Sequence, residues 1–200
     1  MRRVRTRSGD AAVSLSPFPW LIHAPQKRHQ TLLALWSAIL EGLVAATPSR
    51  DDGRVHVSDL VQERPEKITP EVARLLLDGV WKHKKWQFIM EKTGLVIATE
   101  QEITRGSLVG TPDHLLNIGG ARVIFDVKSA GSGNFVRTRG GMPLPNHKSQ
   151  LVQYLEIDQA AEFGVLLYEN RDDLDLAMVV VERNSEYAAR LLAKRGISNA

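Results

Sequence analysis

Between Thr69 and Ser129 the hydrophobic period changes once, from helical to two-fold, and this change limits the fold more than any other feature of the chain. Thr69 is placed to cap a helix, Pro70 suits its first turn, and Glu71 suits the positive end of the dipole. Gly94 is a natural stop. Within these limits Val72, Leu76, Gly79, His83, Trp86 and Met90 recur in steps of three and four, which predicts one inward-facing stripe. From Leu95 to Ile103 the alternation is that of a strand, with Glu100 and Glu102 on the same side. Arg105-Gly106 predicts a hairpin turn, Ser107 to Asn117 a second strand, and Gly119-Gly120 another turn. Pro112 marks an irregularity beside Asp113. Ala121 to Ser129 reads as a third strand, with Val123, Phe125 and Val127 on one face and Ile124, Asp126 and Lys128 on the other.

Gly131 to Pro145 is rich in glycine and proline and reads as a loop carrying Arg137 and Arg139. A helix follows, from about Asn146 as N-cap to Phe163, with Gln150, Tyr154, Ile157 and Ala161 on one face. Gly164 to Glu169 and Leu176 to Glu182 are expected as strands, and Ser185 to Arg195 as a closing helix. Helix, three-strand meander, helix, strand, strand and helix make an α/β sandwich with a mixed sheet. Upstream, Leu32, Leu35, Trp36, Ile39 and Leu43 give His29 to Ala46 helical spacing. Thr47 to Gly53 reads as a loop, and residues 1–20 as a tail made basic by Arg2, Arg3, Arg5 and Arg7. The expected division is a tail and helix over 1–54, appended to a core over 55–200.

A length of 200 residues suits one domain with a short appendage. The net charge of +3 permits a polyanionic partner without requiring one. The absence of cysteine excludes disulfides, thiolate zinc sites and an iron–sulfur cluster within this sequence. The most apolar stretch, Thr31 to Ala46, is too short to span a bilayer and contains Glu41. A chain free of the membrane, in the cytoplasm, is expected.

Asp126 and Lys128 are two charges inside an otherwise apolar strand, and burying them needs a reason. With Asp113 on the preceding strand they form a set suited to phosphodiester hydrolysis. Carboxylate oxygens hold a hard divalent cation, and a lysine supplies positive charge beside the scissile phosphate. The backbone carbonyl of Val127 is a further possible ligand. Each residue alone has an ordinary reading: Asp113 as a turn cap, Asp126 and Lys128 as a solvated strand face, Gln150 and Tyr154 as helix surface, and His83 as a core histidine. Their order along the chain is what carries the signal.

That order resembles the PD-(D/E)xK nuclease superfamily, in its RecB-like and phage-exonuclease branch. The matching segments are Gly79-Val-Trp-Lys-His83, Glu102, Gly110-Thr-Pro-Asp113, Asp126-Val-Lys128 and Gln150-Leu-Val-Gln-Tyr154, with Pro145-Asn-His147-Lys-Ser-Gln150 leading into the last. The resemblance spans roughly Val55 to Glu182. It implies a restriction-endonuclease-like αβββαβ core with a central mixed sheet flanked by helices. It implies catalytic roles for Asp113, Asp126, Lys128, Glu102 and Gln150, and Mg²⁺ or Mn²⁺ held by His83, Asp113, Asp126 and Val127. It favours Gln150 and Tyr154 as DNA contacts. Glu100 shares the face of Glu102, so the choice between them stays open. Arg137 and Arg139 are candidates to guide a strand, or belong to a plain linker; His147 and Lys148 are placed to meet a phosphate, or are plain surface. The implied activity is metal-dependent DNA exonuclease, in phage or bacterial recombination or repair, alongside a single-strand-annealing or recombination partner. In a phage-encoded protein this would act in the host cytoplasm. A sequence-specific or structure-specific endonuclease on the same core, and a noncatalytic DNA-binding module, are the competing readings. The oligomeric state stays open.

Overall fold

Thr69 Oγ1 accepts the Val72 N–H at 3.3 Å and Pro70 opens the first turn, so the long helix starts where its sequence places it. The computed structural model describes residues 29–46, 54–61 and 67–197. The expected basic tail and the loop at Thr47 to Gly53 lie outside the described residues. The elements in chain order are α1 (His29–Ala45), β1 (Val55–His56), α2 (Val57–Val61), α3 (Pro70–Glu91), β2 (Val96–Thr99), β3 (Ile103–Arg105), β4 (Leu108–Gly110), β5 (His114–Ile118), β6 (Ala121–Ala130), α4 (Ser132–Arg139), α5 (Pro145–Ile157), β7 (Phe163–Asn170), β8 (Leu176–Glu182) and α6 (Ser185–Lys194).

Five strands form the main sheet in the order β2-β5-β6-β7-β8. All its pairings are antiparallel except β6 with β7, which run parallel and are joined through α4 and α5. Three short strands form a second sheet in the order β1-β4-β3. The β5–β6 hairpin closes on Gly119 and Gly120, both at positive φ (63° and 97°), as a tight two-residue turn requires.

The expected two-fold alternation of β6 divides the core. Val123, Phe125 and Val127 pack with Val165, Leu167, Met90 and Trp86 on the side of α3. Ile124 packs with Leu166, Tyr168, Leu151 and Leu155 on the side of α5. Gly164 lets α5 approach β7, since a Cβ there would lie 2.6 Å from Leu151. Burying a leucine such as Leu151 is worth roughly 1.5–3 kcal/mol, and the glycine permits it.

Several boundaries depart from expectation. The first strand breaks after Thr99, because Glu100 adopts a left-handed φ of 48° and the chain leaves for the small sheet. Glu100 and Glu102 therefore do not alternate along one strand. The second strand also splits, into β4 and β5, at Thr111-Pro112-Asp113, because proline cannot donate to a ladder. The segment read as a loop contains α4, whose buried Phe135 and Thr138 dock it under the sheet. Helix α5 is capped at Leu144 rather than Asn146, so it begins two residues earlier than expected, at Pro145, and it stops at Ile157. In α1, Leu35 and Ile39 are exposed, and the upper end of the α3 stripe leaves Leu76 exposed too.

Candidate active site

Asp113 sits in the gap between β4 and β5, beyond the last antiparallel pair of β5 with β6, His114 opposite Phe125. The gap leaves the Val127 N–H without a ladder partner, and Asp113 Oδ2 accepts it at 2.6 Å. In a strand the N–H and C=O of one residue leave on the same side, so the Val127 carbonyl also points toward this gap. Asp113 Oδ1 lies 2.9 Å from His83 Nδ1, which reaches in from α3. On β6, the Lys128 ammonium stands 2.5 Å from Asp126 Oδ2. Oδ2 has no aligned hydrogen bond among the described residues, so the contact is charge pairing. His83, Asp113, Asp126 and Lys128 thus meet where α3 crosses the broken edge of the sheet.

Their electrostatics are those of a buried cluster. Burial alone would push the His83 imidazole down, but the hydrogen bond and charge of Asp113 outweigh it and its pKa is raised. Burial would push Asp113 up, but His83, Lys128 and the Val127 N–H together hold it below the ordinary carboxylate range. Asp126 is pushed up, by burial first and also by Asp113. Lys128 loses solvent, yet Asp126 and Asp113 raise its pKa and keep it charged.

Two carboxylates, one imidazole and a backbone carbonyl are the donor types a hard divalent cation accepts, and Asp126 Oδ2 is a buried acceptor without an aligned donor. As placed, Asp126 faces the Lys128 ammonium and Asp113 faces the His83 imidazole. Among the described residues no three His, Asp or Glu side chains are spaced to hold a metal ion. Ligation therefore requires the His83–Asp113 and Lys128–Asp126 pairs to open.

Gln150 and Tyr154 lie one turn apart on α5, and Gln150 Nε2 donates to Tyr154 Oη at 2.8 Å. Tyr154 Oη donates to the carbonyl of Thr111 at 3.3 Å, two residues before Asp113. The ring lies against Gly110 of β4, where a Cβ would be 2.7 Å from it. The Gly110-Thr-Pro-Asp113 and Gln150–Tyr154 motifs are thus one packing unit that carries the strand break.

The remaining sequence candidates stand apart from these contacts. Glu102 lies between β2 and β3 and pairs with Arg54 at 2.7 Å. Glu100 is nearer the cluster: its N–H donates to the Asp113 carbonyl at 2.9 Å, and its carboxylate is 3.4 Å from Lys84. Arg137 and Arg139 are exposed on α4 rather than in a loop, and Arg139 is 3.3 Å from Asp175. Lys148 is exposed, with its ammonium 5.8 Å above the Tyr187 ring. His147 is half-buried against Tyr168. A cavity of about 400 Å³, lined by Leu108, Gln153, Ile157, Ala188 and Leu192 among others, shares no residue with the cluster.

Two features were missed in the sequence. Tyr168 is fully buried opposite Lys128 on the neighbouring strand. Glu169, 1% exposed, accepts the Trp86 indole N–H at 2.8 Å and pairs with Lys85, fastening the helix that carries His83 to β7. A glutamate ending the apolar run Phe163 to Tyr168 was the available signal.

With this geometry in hand, the chain can be compared with known proteins. No protein-family model matches it, and no curated protein matches it. Solved structures do. SSO0001 superposes with a TM-score of 0.51 at 18% identity, over 80% of this chain and 84% of that one. The alkaline exonuclease LHK-Exo of Laribacter hongkongensis superposes with a TM-score of 0.50 at 16% identity, over 78% of this chain and 89% of that one. The fold is the restriction-endonuclease-like core. In these terms α3, β2, β5, β6, α5 and β7 supply its αβββαβ order. At such identities the likeness is one of architecture, and activity has to be argued from the site.

Proposed function

We propose that this chain is a divalent-metal-dependent DNA exonuclease. One observation carries the reading: His83 of α3, Asp113 of the β4–β5 gap, and Asp126 and Lys128 of β6 meet at the broken strand edge. Such a set is costly to bury, and a purely structural role does not call for it. The shared architecture with LHK-Exo, named as an alkaline exonuclease, supports the choice of activity.

In this reading Asp113, Asp126, His83 and the Val127 carbonyl would hold Mg²⁺ or Mn²⁺. The bound ion supplies Lewis-acid stabilisation of the phosphate and activation of the attacking water. The chain's own groups do the rest. Lys128, kept charged by its carboxylates, neutralises a nonbridging oxygen as charge builds in the transition state. Gln150 and Tyr154 hold the Thr111-Pro112-Asp113 turn in register with β6 and present an amide to the strand. Arg137, Arg139 and Lys148 extend the basic surface available to DNA, and His147 adds a polar contact beside Lys148. Glu102 or Glu100 would assist from the edge of β2. Action in phage or bacterial recombination or repair, in the cytoplasm and beside a single-strand-annealing or recombination partner, belongs to the same proposal.

The test is digestion of end-labelled linear and closed circular DNA with Mg²⁺, Mn²⁺ or EDTA. Metal-dependent loss of linear DNA with survival of the circle is expected. Cutting of the circle would instead indicate an endonuclease, and binding without cutting in either metal a noncatalytic module. Asp126→Ala and Lys128→Ala are each expected to lower the rate by at least about 100-fold.

A further inference from the structure

Tyr168 lies beside the cluster. It is the cross-strand partner of Lys128 and shares its face of the sheet. Its Oη accepts the Leu144 N–H at 3.0 Å and stands 3.2 Å from His147 Nδ1, with the two rings tilted by 34° and 5.6 Å apart between centroids.

The donors and acceptors assign the histidine tautomer. Leu144 already donates to the phenol oxygen, so the phenol's own proton needs an acceptor. Among the described residues the acceptor in reach is His147 Nδ1. Tyr168 therefore donates, Nδ1 accepts, and the imidazole proton sits on Nε2. Burial, and then the charge of Lys128, push His147 down to about 3. Burial pushes Tyr168 up to about 12, with Asp126 adding to it. The charged groups facing the pair are thus Lys128 and Asp126 of β6, and across neutral pH both rings stay uncharged. His147 is half-buried, and among the described residues its ring makes no hydrogen bond through Nε2.

We infer that the Nε2–H of His147, fixed in one tautomer by Tyr168, donates a hydrogen bond to a phosphate oxygen of a DNA strand lying beside Lys128. The inference rests on the proposed DNA-binding role of this face and gives it a specific contact. A neutral donor suits the position, because an imidazolium there would repel the Lys128 ammonium while adding little direction to the contact. Tyr168 is then a positioning residue: it touches no DNA and sets which imidazole nitrogen carries the proton.

Two measurements on the full chain test this. The first is ¹⁵N NMR of the histidine side chains, with the His147 signal assigned by its loss in His147→Gln. The Nε2–H tautomer is expected in the wild type, unchanged between about pH 5 and 8, and mixed tautomers are expected in Tyr168→Phe. A reduction in overall stability would not by itself produce that mixture. The second is the affinity for a short oligothymidylate in EDTA. His147→Ala is expected to weaken binding about 10-fold, the size of a lost hydrogen bond to a charged group, and His147→Gln to retain most of it through its own N–H.

An Nδ1–H tautomer in the wild type, wild-type affinity in His147→Ala, or no oligothymidylate binding by the wild type each overturns the inference. Wild-type affinity in His147→Ala alongside intact DNA cleavage leaves the nuclease reading standing. Binding with the expected His147 dependence but no cleavage in either metal ends the nuclease reading and leaves the phosphate contact in place.

Discussion

Asp126 is 2% exposed, and its carboxylate faces the Lys128 ammonium with no aligned hydrogen bond. Such a pair stabilises little, yet removing one member strands the other in low dielectric. Lys128→Met is therefore expected to cost about 3–5 kcal/mol in urea unfolding, and adding Asp126→Asn to it should recover most of that loss. Neither variant would cleave DNA. If the double variant is no more stable than Lys128→Met, the pair is solvated and the electrostatic account of the cluster fails. His147 gives a second residue-level expectation. Its folded pKa is depressed, so the unfolded chain binds a proton that the folded chain refuses. The resulting stability is present above about pH 6.5 and is lost as pH falls toward about 3. His147→Gln should flatten this part of the stability profile, and an equally steep acid loss in the variant would remove His147 as its source. Asp126 and Lys128 were legible in sequence because strand alternation alone puts them on one face. Tyr168 was not, since an aromatic residue in an apolar strand reads as core. Only the register of β7 against β6 places it next to Lys128.

Elements that touch at a single glycine show how the site is held. Tyr154 is buried with its ring against Gly110, and its hydroxyl ties α5 to Thr111. Gly110→Ala would place a Cβ within 2.7 Å of that ring, and the tyrosine has little room to yield. Overpacking of about 1–3 kcal/mol is expected, with a fall in cleavage larger than in a control of equal instability. A suitable control is Gly164→Ala, which crowds Leu151 on the same helix and does not touch the Thr111 turn. Equal losses of activity at equal stability would mean that Tyr154 only packs and does not position Asp113. At this scale the sequence was informative where capping or turn chemistry is local. Thr69-Pro70 and Gly119-Gly120 act within a few residues, and the structure follows them. The sequence misled where tertiary contacts decide. Ser132 to Arg139 has glycine and little helical pattern, and burial of Phe135 and Thr138 accounts for its helix. The left-handed Glu100 between two β-compatible runs has no local signature, so the move of β3 to a second sheet was hidden.

On the scale of the whole molecule, the net charge of +3 is too small to bind a polyanion by bulk attraction, so affinity has to come from local placement of cations. Lys128 lies in the cluster and Lys148 on the exposed start of α5, one residue after His147. No helix among the described residues is long and apolar enough to cross a membrane, and this surface is the one assigned here to nucleic acid. If that assignment holds, oligothymidylate affinity in EDTA should fall with salt, at about 0.7 in log–log slope for each phosphate neutralised. Lys148→Ala removes one such cation without touching the cluster, and its slope should be shallower by roughly that amount. His147→Ala removes a neutral donor, so it should weaken binding while leaving the slope unchanged. The contrast separates charge from hydrogen bonding on a single helix face. A slope that changes equally in the two variants would show that His147 binds as a cation, against the tautomer its partners impose. A wild-type slope near zero would remove phosphate contacts from the face altogether and leave the buried cluster without a substrate beside it.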